Sequence, residues 1–224
     1  MRDWHTWCGC VLALAAATAA GQSAPSAIGA RDAQRSFGSL LAPAALPAGS
    51  TAAYVFAGAP EIGAGFRQGL SGLELDVRAG FDYFDVAGAF ELSGRVPLAA
   101  ASPFQVAPAL GVGMVFNSGA RWLDLDNFAY NGVRVSPALR IARQLGETAA
   151  VLGELTLPVD LPISQEGGYR FRPLVGAGGE IYLGQDITAG VLAEIGADVL
   201  KPPLNALRTR LAFAVRLGLG YRFF

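Results

Sequence analysis

From Thr51 to the C-terminus, apolar positions recur at every second residue, in segments of about ten to fifteen residues separated by turn residues. In LELDVRAGF the apolar set is Leu73, Leu75, Val77, Ala79 and Phe81, interleaved with Glu74, Asp76 and Arg78. FQVAPALGVGMVF carries Phe104, Val106, Pro108, Leu110, Val112, Met114 and Phe116 on one parity. In VRVSPALRIAR, Val133, Val135, Pro137, Leu139 and Ile141 oppose Arg134, Ser136 and Arg140. YRFRPLVGAGGEIYL sets Tyr169, Phe171, Pro173, Val175, Ile181 and Leu183 against Arg170, Arg172 and Glu180. ITAGVLAEIGADV sets Ile187, Val191, Ile195 and Val199 against Glu194 and Asp198. The last segment, LAFAVRLGLGYRF, is apolar at every odd position from Leu211 to Phe223, with Arg216 and Arg222 on the other parity. A period of two is the strand signature, and no segment shows the helical period.

A strand keeps its phase and a turn resets it, so phase flips locate the turns. They predict strands at 51–67, 72–82, 85–96, 103–117, 132–144, 148–159, 169–183, 187–199 and 208–223, with a turn at Tyr83 and tight turns at 145–147 and 184–186. A single-chain barrel with both ends on one side needs an even number of strands. The weakly patterned stretch 36–43, within RSFGSLLAPA, is the expected tenth. An eight-stranded barrel is the alternative. Pro60, Pro108, Pro137, Pro158 and Pro173 fall inside these strands and lack the N–H a ladder uses, so some are expected at strand ends or bulges.

The charged residues decide which face meets which solvent. On the non-apolar parity lie Glu61, Arg67, Glu74, Asp76, Arg78, Glu91, Arg95, Arg134, Arg140, Glu154, Arg170, Arg172, Glu180, Glu194, Asp198, Arg210, Arg216 and Arg222. An Arg facing lipid at the bilayer midplane costs roughly 2–4 kcal/mol, so several together would exceed the roughly 5–15 kcal/mol stability of an ordinary fold. In a membrane these side chains point inward and pair with one another as a luminal charge network. A soluble, lipocalin-like barrel would reverse the faces. Against it stand a polar face of Gly, Ala, Arg and Glu with a single lysine in the chain, Lys201, and the need for another layer over Leu73, Leu75 and Val77. Aromatics also gather at strand ends (Phe81, Tyr83, Phe84, Phe104, Phe116, Tyr169, Phe171, Tyr221 and Phe223), where the girdles of a membrane barrel belong.

Composition agrees. The 224 residues are 52% hydrophobic and only 16% charged, below the usual quarter for soluble domains, yet no run of about 20 apolar residues could form a spanning helix. A net charge of −1 gives no electrostatic footprint for nucleic acid. The first residues, MRDWHTWCGCVLALAAATAAGQSA, combine Arg2, a short apolar segment and small residues in the manner of a secretory signal peptide over 1–24, leaving 25–224 as the barrel domain. Cleavage would remove Cys8, Cys10 and the only histidine, His5.

The C-terminal third, RPLVGAGGEIYLGQDITAGVLAEIGA followed by LAFAVRLGLGYRF, resembles the last three strands of small bacterial outer-membrane barrels of the OmpA/OmpX type. The resemblance implies a descending closing strand whose end, with Gly218, Tyr221, Phe223 and Phe224, is the signal read by the barrel-assembly machinery. It also implies that 118–131, 160–168 and 200–207 are extracellular and 145–147 and 184–186 periplasmic. By the same count the Tyr83 turn is extracellular and PLAAASP periplasmic.

Outer-membrane barrel enzymes resemble omptin-like proteases, phospholipases or lipid A-modifying acylases, all built on a histidine, which the mature chain lacks; it is therefore expected not to be an enzyme. No cofactor or metal site is expected. GAGG at 176–179 lies inside a strand, and DLDN at Asp124–Asn127 lacks the Gly and distal Glu of a calcium loop. That loop reads instead as polar and extracellular, with Trp122, Phe128 and Tyr130 near the interface. The expected role is an integral barrel with outer-membrane lipid as its surroundings, a side-chain-filled lumen and surface interactions through its loops; the alternative is a narrow channel or small-solute porin.

Overall fold

The computed structural model describes residues 46, 48–98, 104–121, 127–146, 148–164, 168–183, 186–203 and 206–223. The stretch 1–24 and the stretch 36–43 lie outside these residues, as do Trp122, Asp124 and Phe224. Among the described residues all regular structure is β.

Val55 and the pair Ile62 and Phe66 are all exposed apolar residues, yet they sit on opposite parities with Pro60 between them. The chain turns there. What the pattern joined as one strand at 51–67 is a tight hairpin, β1 (Thr51–Ala59) and β2 (Glu61–Leu70), paired from Thr51 with Gln68 to Ala57 with Ile62. This hairpin supplies the missing strand, so the even count closes without the stretch 36–43.

The remaining segments are β3 (Leu73–Asp82), β4 (Ala87–Arg95), β5 (Phe104–Ser118), β6 (Ala129–Leu145), β7 (Ala149–Thr156), β8 (Val159–Pro162), β9 (Tyr169–Phe171), β10 (Leu174–Leu183), β11 (Ile187–Lys201) and β12 (Arg208–Phe223). Pro158 and Pro173 divide two of the staves. The register does not slip at either break: Thr156 pairs with Ala138 and Val159 with Val135, while Leu174 pairs with Gly196 and Phe171 with Val199. Each proline removes ladder hydrogen bonds and leaves the strand direction intact. Segments β7–β8 and β9–β10 are therefore single staves, and the twelve segments make ten. Pro108 and Pro137 stay within β5 and β6, on the outward parity. Antiparallel pairing of β1 with β12 closes the cylinder, from Thr51 with Phe223 to Ala59 with Val215.

The two ends differ. The terminal end holds Thr51, Phe223, the two-residue Ser71–Gly72 turn, and the connections 96–103, 146–148 and 184–186. Gly72 takes φ 73°, where a Cβ would be strained. The loop end holds the turns 59–61 and 83–86 and the connections 119–128, 163–168 and 202–207, the first of them the longest in the barrel.

The wall faces outward with its apolar parity. Phe66, Phe90, Val112, Met114, Val175, Val191, Ile195, Leu217 and Leu219 are all exposed, whereas Arg67, Glu74, Arg95, Glu154, Glu180 and Asp198 are buried. Phe104, Tyr221 and Phe223 ring the terminal end, and Phe81 and Phe116 stand outward toward the loop end. Such an exterior meets hydrocarbon, because water would leave it as one continuous apolar belt. Closed, even-numbered, antiparallel and apolar outside, this is the kind of barrel found in outer membranes. Arg143 is an exterior charge at the terminal end; its guanidinium lies 5.6 Å from the Phe104 ring centre, at the level where long cationic side chains snorkel.

Candidate functional site: the luminal charge network and its vestibule

Ten staves enclose more space than an eight-stranded cylinder filled by side chains, and far less than a sixteen-stranded pore. What fills that space follows from parity, because each strand's inward side carries the ionic residues.

At the terminal end a layer of buried ion pairs lines the lumen. Arg67 from β2 forks onto Glu74 from β3, with Nε at 2.5 Å from Oε1 and Nη2 at 2.9 Å from Oε2. Arg95 of β4 lies 3.6 Å from the same carboxylate, and all three side chains are 0–1% exposed. The backbone N–H of Leu46 donates to Glu74 Oε2 at 3.1 Å, so the chain leading into β1 crosses this layer, with Leu46 buried against Ala52. Glu180, Tyr182 and Thr188 are buried nearby, at the ends of β10 and β11. Arg222 reaches Asp186 at the rim.

Above this layer, Tyr54 donates its hydroxyl to Asp76, and Arg78 pairs with Glu61 and lies over the Phe56 ring. Arg140 binds Glu154 at 2.8 Å, Arg216 binds Glu194, and Ser136 donates to Glu91. Arg78, Arg140 and Arg216 separate a small cavity of about 40 Å³ below from one of about 370 Å³ above. The larger cavity is a vestibule that runs toward the loop end.

The vestibule's upper wall is a second ionic cluster. Arg170 forks onto Asp198 at 2.8 and 2.6 Å and also touches Asp85 at 2.6 Å. Arg210 binds Asp198 at 2.7 Å, and Arg172 binds Asp85 at 3.1 Å with Asp82 at 3.6 Å. Arg134 forks onto Asp160, which also accepts the Tyr130 hydroxyl at 2.7 Å.

The residues named from parity therefore lie on the lumen side in three layers. Reading the sequence missed Asp160, Asp82 and Asp85. Asp160 keeps the inward parity of Glu154 across Pro158, so the alternation carried its signal. Asp85 has the parity of Glu91 and Arg95 in the strand predicted from 85, but β4 begins at Ala87 and Asp85 sits in the β3–β4 turn. Tyr83 anchors that turn by donating to Gly58 O at 2.8 Å, and its own N–H donates to Pro60 O. Phe128 and Tyr130 were expected near the interface; they are instead buried inside the mouth with Val115 and Leu200, because Tyr130 shares the inward parity of Arg134. Asn127, from the DLDN stretch, is a clamp: fully buried, it donates to Asp85 O and Ala120 O and accepts from Asn117.

The turn is strained where Asp85 enters the cluster. Val86 adopts φ 50°, an outlier for a β-branched residue. Ion pairs on Asp85 and the Asn127 clamp hold it there. Val86→Asn tolerates the left-handed region and is expected to stabilise the barrel by about 1 kcal/mol, read as a higher urea midpoint; an unchanged or lower midpoint would count against strain at this residue.

No family model matches the chain, and no curated protein does. Among solved structures it is similar to a bacterial polysaccharide outer membrane secretin, with 16% identity and a TM-score of 0.43 over 73% of this chain and 56% of that one. It is also similar to a KdgM porin, with 14% identity and a TM-score of 0.41 over 78% of this chain and 99% of that one. The KdgM porin in complex with disordered oligogalacturonate gives 12% identity and a TM-score of 0.43 over the same shares.

Proposed function

We propose that this chain is an integral outer-membrane barrel that does not conduct in this conformation, with a structural and surface-interaction role exerted through its loop end and the blind vestibule beneath it. The observation that carries this reading is the Arg67–Glu74–Arg95 layer: three charged side chains pack together at 0–1% exposure at the terminal end. The longest connection, 119–128, supports an orientation with the loop end outside and the terminal end periplasmic, and 96–103 departs from the usual short periplasmic turn. The OmpA/OmpX-type resemblance bears on the closing strands. Tyr221 and Phe223 stand outward at the terminal end with ring centres 5.0 Å apart, presented for the barrel-assembly machinery, while Gly218 lies on the luminal parity.

Planar-bilayer recording tests the reading. The wild-type barrel is expected to give no steady conductance, and the triple variant R67A/E74A/R95A, which removes the layer as a unit, is expected to conduct. Reproducible wild-type pores would replace the blind vestibule by the second reading, a narrow channel or small-solute porin. The feature favouring that reading is the pair of cavities, which share Arg78, Glu91, Ser93, Arg140 and Arg216 as their common lining.

A further inference from the structure

The large cavity is lined by Arg210, Leu211, Ala212, Phe213 and Ala214, consecutive residues from both faces of β12. The outward Leu211 and Phe213 side chains belong to this lining together with the inward Arg210, Ala212 and Ala214. The reason lies in β1. It pairs with β12 only up to Ala59 and Val215, so along Arg208–Ala214 no strand among the described residues covers the β1 side. The wall is notched there, and the vestibule opens sideways around the free edge. Leu211 and Phe213, 70% and 50% exposed, form the outer lip, and Phe84 of the β3–β4 turn flanks it at 6.4 Å between ring centres.

The height of the notch follows from β1. Its nine residues, at about 3.4 Å each and tilted about 40°, climb about 23 Å, close to the apolar band of about 25 Å of such barrels. The notch therefore begins where the outer hydrocarbon ends. A free edge deeper in lipid would leave N–H and C=O groups unmet at several kcal/mol each.

Inside the notch the more accessible member of each ion pair made by Arg210, Arg172 and Arg134 is the cation, although acids and bases are nearly matched. Arg210 and Arg172 are 30% and 22% exposed, whereas their partner Asp198 is 3% exposed; Arg134 is 23% exposed against 3% for Asp160. Asp198 and Asp160 lie against the wall under these long guanidinium groups, while Asp82 and Glu61 keep 15% and 20% exposure in the same cavity. Planar guanidinium forks match phosphate oxygens bidentately.

We infer that the vestibule binds an anionic amphiphile drawn sideways from the outer leaflet, with its phosphate head on Arg172 and Arg210 and its acyl chain over Leu211 and Phe213. This rests on the outer-membrane reading above. The experiment is native mass spectrometry of the whole barrel released from nanodiscs containing phosphatidic acid and phosphatidylcholine of identical chains. The expected result is one retained phosphatidic acid, preferred at least tenfold over phosphatidylcholine. R172Q/R210Q is expected to abolish the preference. L211S/F213S, which leaves every ion pair in place, is expected to lower retention severalfold, and millimolar inorganic phosphate is expected not to compete. Equal retention of the two lipids, no retained lipid, or insensitivity to both variants would overturn the inference. So would displacement by inorganic phosphate with no dependence on the acyl chain, which would mark a site for the free anion. Heat-modifiable gel mobility on each sample separates the two levels: a chain that stays dispersed without detergent defeats the membrane reading, whereas a folded, detergent-requiring barrel with no lipid preference defeats only this inference.

Discussion

Glu74→Ala is expected to be the most damaging single truncation inside the barrel, costing about 3–5 kcal/mol. Glu74 holds a fork from Arg67, a second approach from Arg95 and the Leu46 N–H, all without solvent. Removing it leaves two guanidinium groups in a buried layer stripped of their shared counter-charge, and neither can reach water without moving the strands that carry it. The gain from an intact buried pair over an apolar isostere is small, but the loss on deleting one partner is large, because the survivor keeps its desolvation cost. Urea titration of the barrel in detergent, followed by heat-modifiable gel mobility, reads the effect. A midpoint within the range of ordinary surface substitutions would mean that water reaches the layer. Glu74→Gln, which keeps the shape and some of the acceptors, should fall between wild type and alanine.

Leu219→Arg tests the outer wall. Leu219 faces outward at 52% exposure, opposite Val55 on one side and Ala189 on the other, near the middle of the β1–β12 seam. A guanidinium there meets acyl chains and should cost about 2–4 kcal/mol, falling to about 0–1 kcal/mol for an equivalent change near the interface, such as Phe223→Arg at the terminal rim. The depth dependence is the diagnostic part. A soluble barrel would tolerate both changes alike, since both side chains are already exposed. Equal and small effects at the two positions would thus remove the lipid from the account. A spin label at Leu217 gives the same answer without a stability measurement: it should report hydrocarbon rather than water.

The alternation of Leu73, Leu75 and Val77 with Glu74, Asp76 and Arg78 was enough to specify strand, face and partner solvent for β3, and the same held along β5, β6, β10, β11 and β12. It was nearly enough for the strand count. Val55 and Ile62 announce a turn by their parities, and Pro60 marks its place, but a pattern of small residues (Ala57, Gly58, Ala59, Gly63, Ala64 and Gly65) blurs the flip. Asp160 was equally available, since a proline that interrupts the ladder without shifting the register also preserves parity.

The partners of Asp85, the burial of Phe128 and the Asn127 clamp were not legible. Each depends on residues far apart in the chain, as in the contact of Asp85 with Arg170 and Arg172. By itself the sequence determined an all-β chain with a greasy side and an ionic side, because strand geometry forces successive side chains apart whatever the neighbours. Only the tertiary structure decided which acids meet which bases, where buried ion pairs gather in the lumen and where β12 outreaches β1. Those features follow from how far each hairpin reaches relative to the next, and strand reach is a property of pairing, not of any one strand.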